Sequence, residues 1–312
     1  MLYYKYSDYL KNKYGEKVYK LPVNLPVTCP NRLDGDGCAF CAGAGTGFEA
    51  MAAVVPVTEQ LTRTRQMITR KYHANKYIAY FQNYTNTFLP PDRFRSYLME
   101  ATRIPGVVEI SVSTRPDCVS AEYLDIMRDI RAMTGIQMNV ELGLQTANYH
   151  TLQMIDRGHG LAEFIDAVLR IKSYTAISIC THVILNLPGD TAADAKETAR
   201  ILTALGVDIV KLHSLYIARN TRLCDWYENG KITVCSKEEY FERVITFLEQ
   251  IPETVAQIDR AAFAGCSALT SISLPETVST VMEEAFTGCT SLTDLTVANA
   301  SLEYDRWGLV EG

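Results

Sequence analysis

Three cysteines near the N-terminus are the first residues whose type and spacing could do chemistry. Cys29, Cys38 and Cys41 lie in one loop, with eight residues between the first two and two between the last two. Three thiolates can hold three irons of a cubane cluster and leave the fourth iron open for a ligand, whereas a closed structural zinc site needs four protein ligands. No cysteine or histidine follows Cys41 before His73, so the loop is either a complete three-point cluster site or an incomplete zinc site.

The fourth predicted strand ends in a pattern that suits a polar ligand. Alternation along Glu141-Leu142-Gly143-Leu144-Gln145 places Glu141, Gly143 and Gln145 on one face. A buried acid, a bare backbone and an amide on an inward face could hold a polar molecule. The alternative is that Glu141 ends its strand in solvent.

Further polar residues follow the other predicted strands at the same end. Such side chains can hydrogen bond a ligand amine or carboxylate, and Arg115 could clamp a carboxylate or a phosphate. Each could singly be structural, but their shared placement at strand ends favours a binding site. The polar candidates are Gln82, Asn83, Tyr84, Thr85 and Asn86 after the second strand, Ser113, Thr114 and Arg115 after the third, and Lys211 and His213 in the sixth. Leu187 and Pro188 lie in the turn after the fifth strand, whose backbone could line the edge of a pocket; the alternative is a generic turn before a helix.

Three more candidates lie in loops. Phe40 directly precedes Cys41, where an apolar ring can shield a cluster from water. Arg157 and His159 lie between the fourth strand and the next helix, and His159 could be either a ligand contact or a plain loop histidine. The cysteines at 118, 180, 224 and 235 are interpreted as small apolar fillers.

Strands and helices must position these residues, and the sequence predicts that they alternate. The strand candidates are 18–25, 77–82, 107–113, 137–144, 177–185 and 207–216, and the helix candidates are 57–72, 91–102, 121–133, 161–174, 192–205 and 237–250. Strict alternation implies parallel strands with right-handed crossovers, hence an α/β fold. Six units predict a partial (β/α)6 TIM-like barrel, whose sites lie at the C-terminal ends of the strands.

The pattern changes after residue 250. Ile251–Val255 recurs 23 residues later as Leu274–Val278, and Ala262–Thr270 recurs with the same offset. A fixed period of this length predicts a short leucine-rich-repeat-like, β-rich solenoid, so we expect two units, 1–250 and 251–312. The predicted repeating core is Phe263, Leu269, Ile272, Phe286, Leu292 and Leu295, with Cys266 and Cys289 at equivalent core positions. Two copies and a fragment bury little apolar surface, so the tail should depend on the barrel.

Composition sets the broad class. The 312 residues are 47% hydrophobic and 21% charged, which is typical of a globular protein, and the net charge of −6 gives no general attraction to nucleic acid or anionic membrane. The N-terminus has no apolar stretch of signal-peptide length, and no apolar run is long enough to span a membrane. Nine scattered cysteines favour reduced thiols and metal ligation over a disulfide framework, so a cytoplasmic location is expected.

From Met1 to about Gln257 the chain resembles the radical S-adenosylmethionine (radical SAM) superfamily, and within it a bacterial subgroup with an elongator-protein-type radical SAM core. The tail resembles BspA-like leucine-rich repeats of bacterial surface and interaction proteins. The stretches that carry the first resemblance are Tyr19–Pro22, Thr28–Arg32, Cys38–Cys41, Tyr80–Thr87, Ser113–Asp117, Val140–Gln145, Arg157–His159, His182–Gly189 and Val210–His213.

The resemblance implies a [4Fe–4S] cluster on the three cysteines, with SAM bound to the open iron through its amine and carboxylate. It implies that the strand-end and loop candidates contact the cluster or SAM. An external electron donor would drive reductive cleavage of SAM to a 5′-deoxyadenosyl radical, which abstracts hydrogen from a substrate that the sequence does not identify. The elongator-type core suggests modification of tRNA or a nucleoside by analogy only, and the acidic balance argues mildly against it.

Two departures from the subgroup leave other functions open. The first cysteine gap is shorter than usual, and repeats replace the usual C-terminal segment. Ile251–Val255 fits both patterns, which suggests a fusion joint. The alternatives are an interaction protein, in which the tail binds a protein partner beside an inactive barrel, and a zinc-binding protein without radical chemistry.

Overall fold

The computed structural model describes residues 4–33, 35–42, 50–215 and 217–251, with short stretches at 255–258, 271–274, 280–281, 293–297 and 303–304. Its central feature is one sheet of eight strands in the order β1-β8-β7-β6-β5-β4-β3-β2, in which every neighbouring pair is parallel. The strands are β1 (Tyr4–Lys5), β2 (Val18–Val23), β3 (Lys76–Phe81), β4 (Val107–Thr114), β5 (Gln137–Gln145), β6 (Ile177–Ile184), β7 (Ile209–His213) and β8 (Val255–Ile258).

Helices connect the strands, so the sheet is a set of β/α units. They are α1 (Tyr6–Tyr14), α2 (Val57–Tyr72), α3 (Pro91–Thr102), α4 (Ala121–Thr134), α5 (Tyr149–Met154), α6 (Leu161–Lys172), α7 (Ala192–Leu205), α8 (Arg222–Glu228) and α9 (Lys237–Leu248). The sequence prediction of an α/β partial barrel with six units, β2 to β7, is confirmed.

Local signals explain why the predicted helix ends are close to the observed ones. Thr191 caps α7 through a reciprocal pair with Asp194, and Gly206 ends that helix in the left-handed region. Pro91 occupies the first turn of α3, where its missing N–H costs nothing. These helix-end signals can be recognised from the sequence without knowledge of tertiary contacts.

The sheet has an apolar outer face and a polar inner face. On β4, Ile110 and Val112 belong to the main hydrophobic core, which also includes helix residues such as Phe94. Ser111 and Ser113 alternate with them and are also buried, so they face the other side. Because this curled sheet buries both faces, its inner face encloses a polar lumen.

The N-terminal helix was missed by the sequence prediction, and it forms the floor of this lumen. Lys13 Nζ and Tyr14 Oη donate to the buried Glu109 at 2.9 and 2.6 Å. Tyr6 and Tyr9 pack beside Cys180 and Ile209. The sequence of α1 is rich in tyrosine and lysine and lacks a clear apolar stripe, so its helical period is weak. The sequence prediction also missed the helices α5 and α8, because they are too short to show a helical period.

The sheet also includes β8, which lies in the segment that the sequence assigned to the tail. Val255 pairs with Ile209 of β7 on one side and with Tyr4 of β1 on the other. The barrel sheet therefore takes in residues 255–258, and the domain boundary at residue 250 stays a prediction.

Short strands beyond β8 repeat at the period seen in the sequence. They are β9 (Ser271–Leu274), β10 (Thr280–Val281), β11 (Asp294–Val297) and β12 (Glu303–Tyr304). Ser271 pairs in parallel with Asp294, and Thr280 pairs with Glu303, so both ladders join residues 23 positions apart. Ile272 and Leu295 are register partners, whereas Phe263, Cys266, Leu269, Phe286, Cys289 and Leu292 lie outside the described residues.

In the part of the chain that the structure describes, every helix is too short or too polar to cross a lipid bilayer.

Candidate functional site

The cysteine loop follows β2 at the C-terminal end of the sheet. Cys29 precedes a 3-10 turn over Pro30–Arg32, and the amide of Cys41 donates to the carbonyl of Cys38 at 2.9 Å. Cys38 is buried, and Cys29 and Cys41 are half-buried. All three are free thiols, so the loop is able to ligate metal.

Each of these thiols lies next to a different arginine. Arg115 Nη1 is 3.8 Å from Cys29 Sγ, Arg157 Nη1 is 3.4 Å from Cys38 Sγ, and Arg32 Nη2 is 3.4 Å from Cys41 Sγ. Burial raises the pKa of Cys41, and the hydrogen bond and charge of Arg32 oppose that rise. Three guanidinium groups therefore offset the negative charge that one buried and two half-buried thiolates would bring.

Arg115 supports the loop from the turn after β4. Its guanidinium makes a two-point contact with Asp117 at 2.9 and 2.6 Å and donates to the carbonyls of Arg157 and Gly158 at 3.2 and 3.0 Å. Burial would lower the pKa of Arg115, but Asp117 and Cys29 raise it. These partners place Arg115 in support of the cysteine loop; its role as a ligand clamp stays a prediction.

Arg157 joins the cysteine loop to the end of β5. Besides Cys38, it contacts the carbonyl of Gly143, to which Nη2 donates at 2.7 Å. A side-chain carbon at Gly143 would lie 2.6 Å from that Nη2, so a larger residue there would displace the Arg157 guanidinium. The inward-facing position predicted for Gly143 thus leaves room for the Arg157 side chain.

The next residue, Gly158, has a left-handed φ of +74°. A side-chain carbon there would lie 2.3 Å from Asn31 Oδ1. Asn31 in turn donates to the carbonyl of Asp156 at 2.6 Å and lies 3.6 Å from Cys38 Sγ. The loop over 156–158 is therefore packed directly against the cysteine loop.

Phe40 and Leu187 meet in a small apolar cluster at this end of the barrel. Its buried members are Ala39, Ile155, Ile184, Leu187 and Leu223, and Phe40 packs against them half-buried. Backbone bonds fix the position, since the Ala39 amide donates to Ile155 O at 2.8 Å and the Leu223 amide donates to Ala39 O at 2.9 Å. Leu187 is thus an apolar support, and its neighbour Pro188 is buried.

The polar run after β3 divides into structural and unsatisfied groups. Asn86 Nδ2 donates to the carbonyls of Phe81 and Ser113 at 3.0 and 2.9 Å, so it holds the turn together. Gln82 Nε2, Asn83 Oδ1 and Asn86 Oδ1 are buried and have no hydrogen-bond partner among the described residues. Since buried polar atoms are normally paired, these atoms are candidates for contact with a ligand, and that role stays a prediction.

The remaining candidates after β3, β4 and β5 occupy different surroundings. Thr85 is buried, and Tyr84 has a left-handed φ of +55°. Ser113 Oγ donates to Tyr80 Oη at 3.3 Å, and Thr114 Oγ1 lies 2.5 Å from Thr87 Oγ1. Gln145 has a left-handed φ of +79° at the end of β5.

His159 is buried beside the arginines. Its Nδ1 lies 3.3 Å from the carbonyl of Gly160, and its Nε2 is buried without a partner among the described residues. Burial, and then the charge of Arg157, lower the pKa of His159 to about 3. His159 is therefore neutral at pH 7, with Nε2 available as a hydrogen-bonding group, and its contact with a ligand stays a prediction.

Glu141 faces the lumen, as its alternation predicted, and is 1% exposed. Oε1 accepts from Lys20 Nζ at 3.0 Å and from Ser111 Oγ at 2.8 Å, and Oε2 lies 2.7 Å from His182 Nε2. Burial would raise the pKa of Glu141, but Lys20, His182 and Lys211 hold it well below its usual range. This burial contradicts the alternative that Glu141 ends its strand in solvent.

Two lysines and two histidines complete the inner face. His182 Nδ1 lies 3.0 Å from His213 Nε2. Lys20 and Lys211 both lie over the ring of Tyr80, at 4.4 and 5.5 Å from its centroid. We call Lys20, Tyr80, Glu141, His182, Lys211 and His213 the lumen group. Lys20 and His182 were not among the predicted site residues, although period-two alternation along β2 and β6 was the signal that could have found them.

The predicted site residues thus form two sets. Cys29, Cys38 and Cys41, with their arginines, His159 and the unsatisfied amides of residues 82 and 83, lie in the loops after the strands. Glu141, Lys211 and His213 lie within the strands, in the lumen. The protein is thus an α/β partial barrel with a loop of three cysteines, able to ligate metal, at the C-terminal end of its sheet.

Comparison with known proteins agrees with this architecture. Residues 23–202 match the radical SAM superfamily, residues 207–261 match the radical SAM C-terminal domain, and residues 238–306 match the BspA-type leucine-rich repeat region. The first match alone spans more than half of the chain, so the protein belongs to the radical SAM superfamily and is an enzyme of that superfamily, with a leucine-rich repeat tail. The two later matches overlap at the junction that contains β8.

The chain is also similar to individual proteins of this kind. It is 34% identical to protein YhcC of Escherichia coli K12 over 252 residues, which are 80% of this chain and 79% of that one. It is 22% identical to the tRNA-2-methylthio-N(6)-dimethylallyladenosine synthase of Protochlamydia amoebophila over 55% of this chain and 37% of that one. The archaeal Elp3 of Methanocaldococcus infernus has a similar fold, with a TM-score of 0.58 at 16% identity, and the match covers 90% of this chain but only 59% of Elp3.

Proposed function

We propose that Cys29, Cys38 and Cys41 bind a [4Fe–4S] cluster and that the protein uses it to cleave SAM reductively, with electrons from an external donor. The observation that carries this proposal is the pairing of each thiol with its own guanidinium. A cluster with three cysteine ligands has one open iron, which suits a chelating cofactor. When bound, the cluster and SAM would supply a 5′-deoxyadenosyl radical able to remove hydrogen from a substrate.

The protein's own groups have three tasks in this proposal. Arg32, Arg115 and Arg157 hold the loop and balance its charge, in the way that outer-shell residues orient metal ligands. Phe40 and the apolar cluster beneath it limit access of water to one side of the loop. The unsatisfied Gln82 Nε2, Asn83 Oδ1 and His159 Nε2 are the groups that we propose for contact with SAM.

The proposed substrate class is a nucleoside, with tRNA as the macromolecular form. Its support is the partial likeness to a tRNA-modifying synthase. Binding of the repeat tail to a protein partner stays a prediction.

Anaerobic reconstitution followed by incubation with SAM and dithionite tests the proposal. We expect an oxygen-sensitive brown protein with about four irons per chain that releases 5′-deoxyadenosine. Cys38→Ala should lose both iron and cleavage, whereas Cys235→Ala should keep both, because Cys235 packs beside the main core. Normal iron content in Cys38→Ala, or zinc in place of iron in the reconstituted protein, would contradict the assignment.

A further inference from the structure

The second half of the cysteine loop, residues 37–41, lies between two segments that are far apart in the sequence. On one side, the amide of Ala39 donates to the carbonyl of Ile155 at 2.8 Å. On the other side, the carbonyl of Ala39 accepts from the amide of Leu223, in the first turn of α8, at 2.9 Å. Because both backbone groups of Ala39 are bonded, the neighbouring Cys38 is held between the two segments.

The side chain of Arg222, the first residue of α8, joins the same two segments. Its Nη2 donates to the carbonyl of Gly37, and its Nη1 pairs with the carboxylate of Asp156. A guanidinium group can serve both partners at once, because its donors form a rigid planar fork. Arg222 therefore connects the backbone of the cysteine loop directly to the loop after α5.

Asp156 ties the two halves of the cysteine loop to one residue. Its φ of +48° is left-handed, a conformation that aspartate adopts more readily than most residues. Its carboxylate pairs with Arg222, and its carbonyl accepts from Asn31 Nδ2, in the first half of the loop, at 2.6 Å. Asn31 and Gly37 are thus both fixed to Asp156, the first directly and the second through Arg222.

Gly37 itself lies between two arginines. It has a left-handed φ of +80°, and a side-chain carbon there would lie 3.0 Å from Arg32 Cγ. Arg32 contacts the thiol of Cys41 at 3.4 Å, whereas Arg222 contacts the loop backbone. A shift of Gly37 would therefore also disturb the arginine that supports Cys41.

The competing explanation is that Arg222 merely fastens α8 to the protein. The side chains of Arg222 and Asp156 are 33% and 56% exposed, and exposed ion pairs contribute little to overall stability. Moreover, α8 is fixed by other contacts. The Thr221 hydroxyl caps its first turn by accepting from the Cys224 amide at 3.2 Å, and Leu223 is fully buried. The arrangement therefore favours local control of the cysteine loop over a general structural role.

We propose that Arg222 is a positioning residue for the iron–sulfur cluster, which holds Cys38 and Cys41 in place relative to Cys29. This inference rests on the proposed function, since it takes the ligand of the three thiols to be the cluster. Arg222 lies within residues 207–261, which match the radical SAM C-terminal domain, and outside residues 23–202, which match the superfamily core. Cluster binding thus depends on both matched parts of the chain.

Alkylation of the cysteines tests this role without any cluster. The full-length protein, before iron is added, would be treated with iodoacetamide, and the modification of each cysteine would be followed by mass spectrometry of its peptides. Arg222→Met removes both polar contacts, so residues 37–41 should open more often, and the buried Cys38 should react about fivefold faster or more. Cys29, which Arg115 contacts from the turn after β4, should keep its rate.

Three further variants separate the contacts of Arg222. Arg219→Met is the matched control, because Arg219 is an exposed arginine three residues earlier, and it should leave every alkylation rate unchanged. Asp156→Asn removes the ion pair but keeps an oxygen that can accept from Arg222, so its effect should be smaller than that of Arg222→Met. Arg222→Lys keeps the charge but can reach fewer partners, so it should restore part of the protection of Cys38.

The reconstituted protein provides a second readout. Arg222→Met should lose iron to a chelator several-fold faster than the unchanged protein, because the loop that carries two of the three ligands is less well held. The electron paramagnetic resonance signal of its reduced cluster should broaden, which a variant with only lower overall stability would not show. Its melting temperature should stay close to that of the unchanged protein, since the ion pair is exposed.

Two results would overturn the inference. One is an unchanged alkylation rate of Cys38 in Arg222→Met. The other is an equal rise at every cysteine together with a lower melting temperature, because that pattern indicates a general loss of stability. If even the unchanged protein binds no iron, the proposed function fails, but the alkylation rates still decide whether Arg222 holds the cysteine loop.

Discussion

The guanidinium of Arg157 connects Cys38 to the end of the fifth strand, with Nη1 3.4 Å from the thiol and Nη2 2.7 Å from the carbonyl of Gly143. Arg157 thus brings positive charge to the cysteine loop and also fixes the distance between that loop and the end of β5. Arg157→Met should weaken iron retention about tenfold or more, the usual effect of losing an outer-shell partner. Iron content after a chelator challenge measures this.

The control for Arg157 is Arg128→Met. Arg128 is an exposed arginine that contacts Asp125 and Asp129 on α4, remote from the loop. It should retain iron like the unchanged protein. Equal iron retention in both variants would show that Arg157 does not support the cluster.

A pair of glycines separates steric contact from backbone strain. Gly158 and Gly230 have similar left-handed φ values of +74° and +66°, but only Gly158 has a neighbour in the way of a side chain. Gly230→Ala should lower the free energy of unfolding by about 1 kcal/mol, from strain alone. Gly158→Ala should lower it by about 3 kcal/mol and also reduce iron binding, because Asn31 must move. Urea unfolding of the two variants measures the difference, and equal losses would contradict the packing.

The lumen group predicts that stability falls on acidification. His182 has a folded-state pKa of about 4, below its ordinary value, so the unfolded chain takes up a proton first as the pH falls below about 6.5. The pKa of Glu141 is also lowered, so its contribution is present above the unfolded-state value and is lost at still lower pH. The free energy of unfolding should therefore decrease from pH 7 towards pH 4.

His182→Gln tests the upper part of that range. The variant should lose the His182 share of the pH dependence between about 6.5 and 4, a contribution of at most about 3 kcal/mol. The share of His159, whose pKa burial also lowers to about 3, should remain. His150→Gln, on the exposed surface of α5, is the control and should keep the slope. An unchanged slope in His182→Gln would mean that this ring is not buried in its neutral form.

Arg115 and Glu141 should differ in their effects on iron. Arg115→Ala should lower both iron content and SAM affinity, since Arg115 contacts Cys29 and the carbonyls of residues 157 and 158. Glu141→Gln should spare the iron, because Glu141 contacts lumen residues. Iron analysis and calorimetry with SAM distinguish the two.

The sequence predicted the features that local signals determine, and it missed those that depend on contacts between residues far apart in the chain. Helix ends such as Thr191 and Gly206 are set by local backbone chemistry, and the six β/α units by alternation, so both were predictable. The parallel ladder of β9 and β11 follows the 23-residue repeat. In contrast, α1 owes its place to contacts with Glu109, about 95 residues away, which no local pattern encodes.

The same limit applied to the site. The cysteine spacing identified the loop, but the three arginines come from residues 32, 115 and 157, and only the fold shows that each meets a different thiol. Alternation correctly turned Glu141 inward. It could not show that Lys20, from β2, reaches across to that carboxylate.

The position of β8 between β7 and β1 predicts where the barrel becomes unstable to truncation. A chain that ends at residue 258 keeps both ladders of β8, whereas one that ends at residue 250 leaves β7 an exposed edge and β1 unpaired. The shorter chain should melt lower and aggregate more readily. The isolated tail from residue 251 should show no cooperative thermal transition by circular dichroism, because it loses the sheet that β8 joins and has too few repeats to fold alone. Equal melting temperatures for the two truncated chains, or a cooperative transition in the tail, would instead favour an autonomous repeat domain that begins near residue 250.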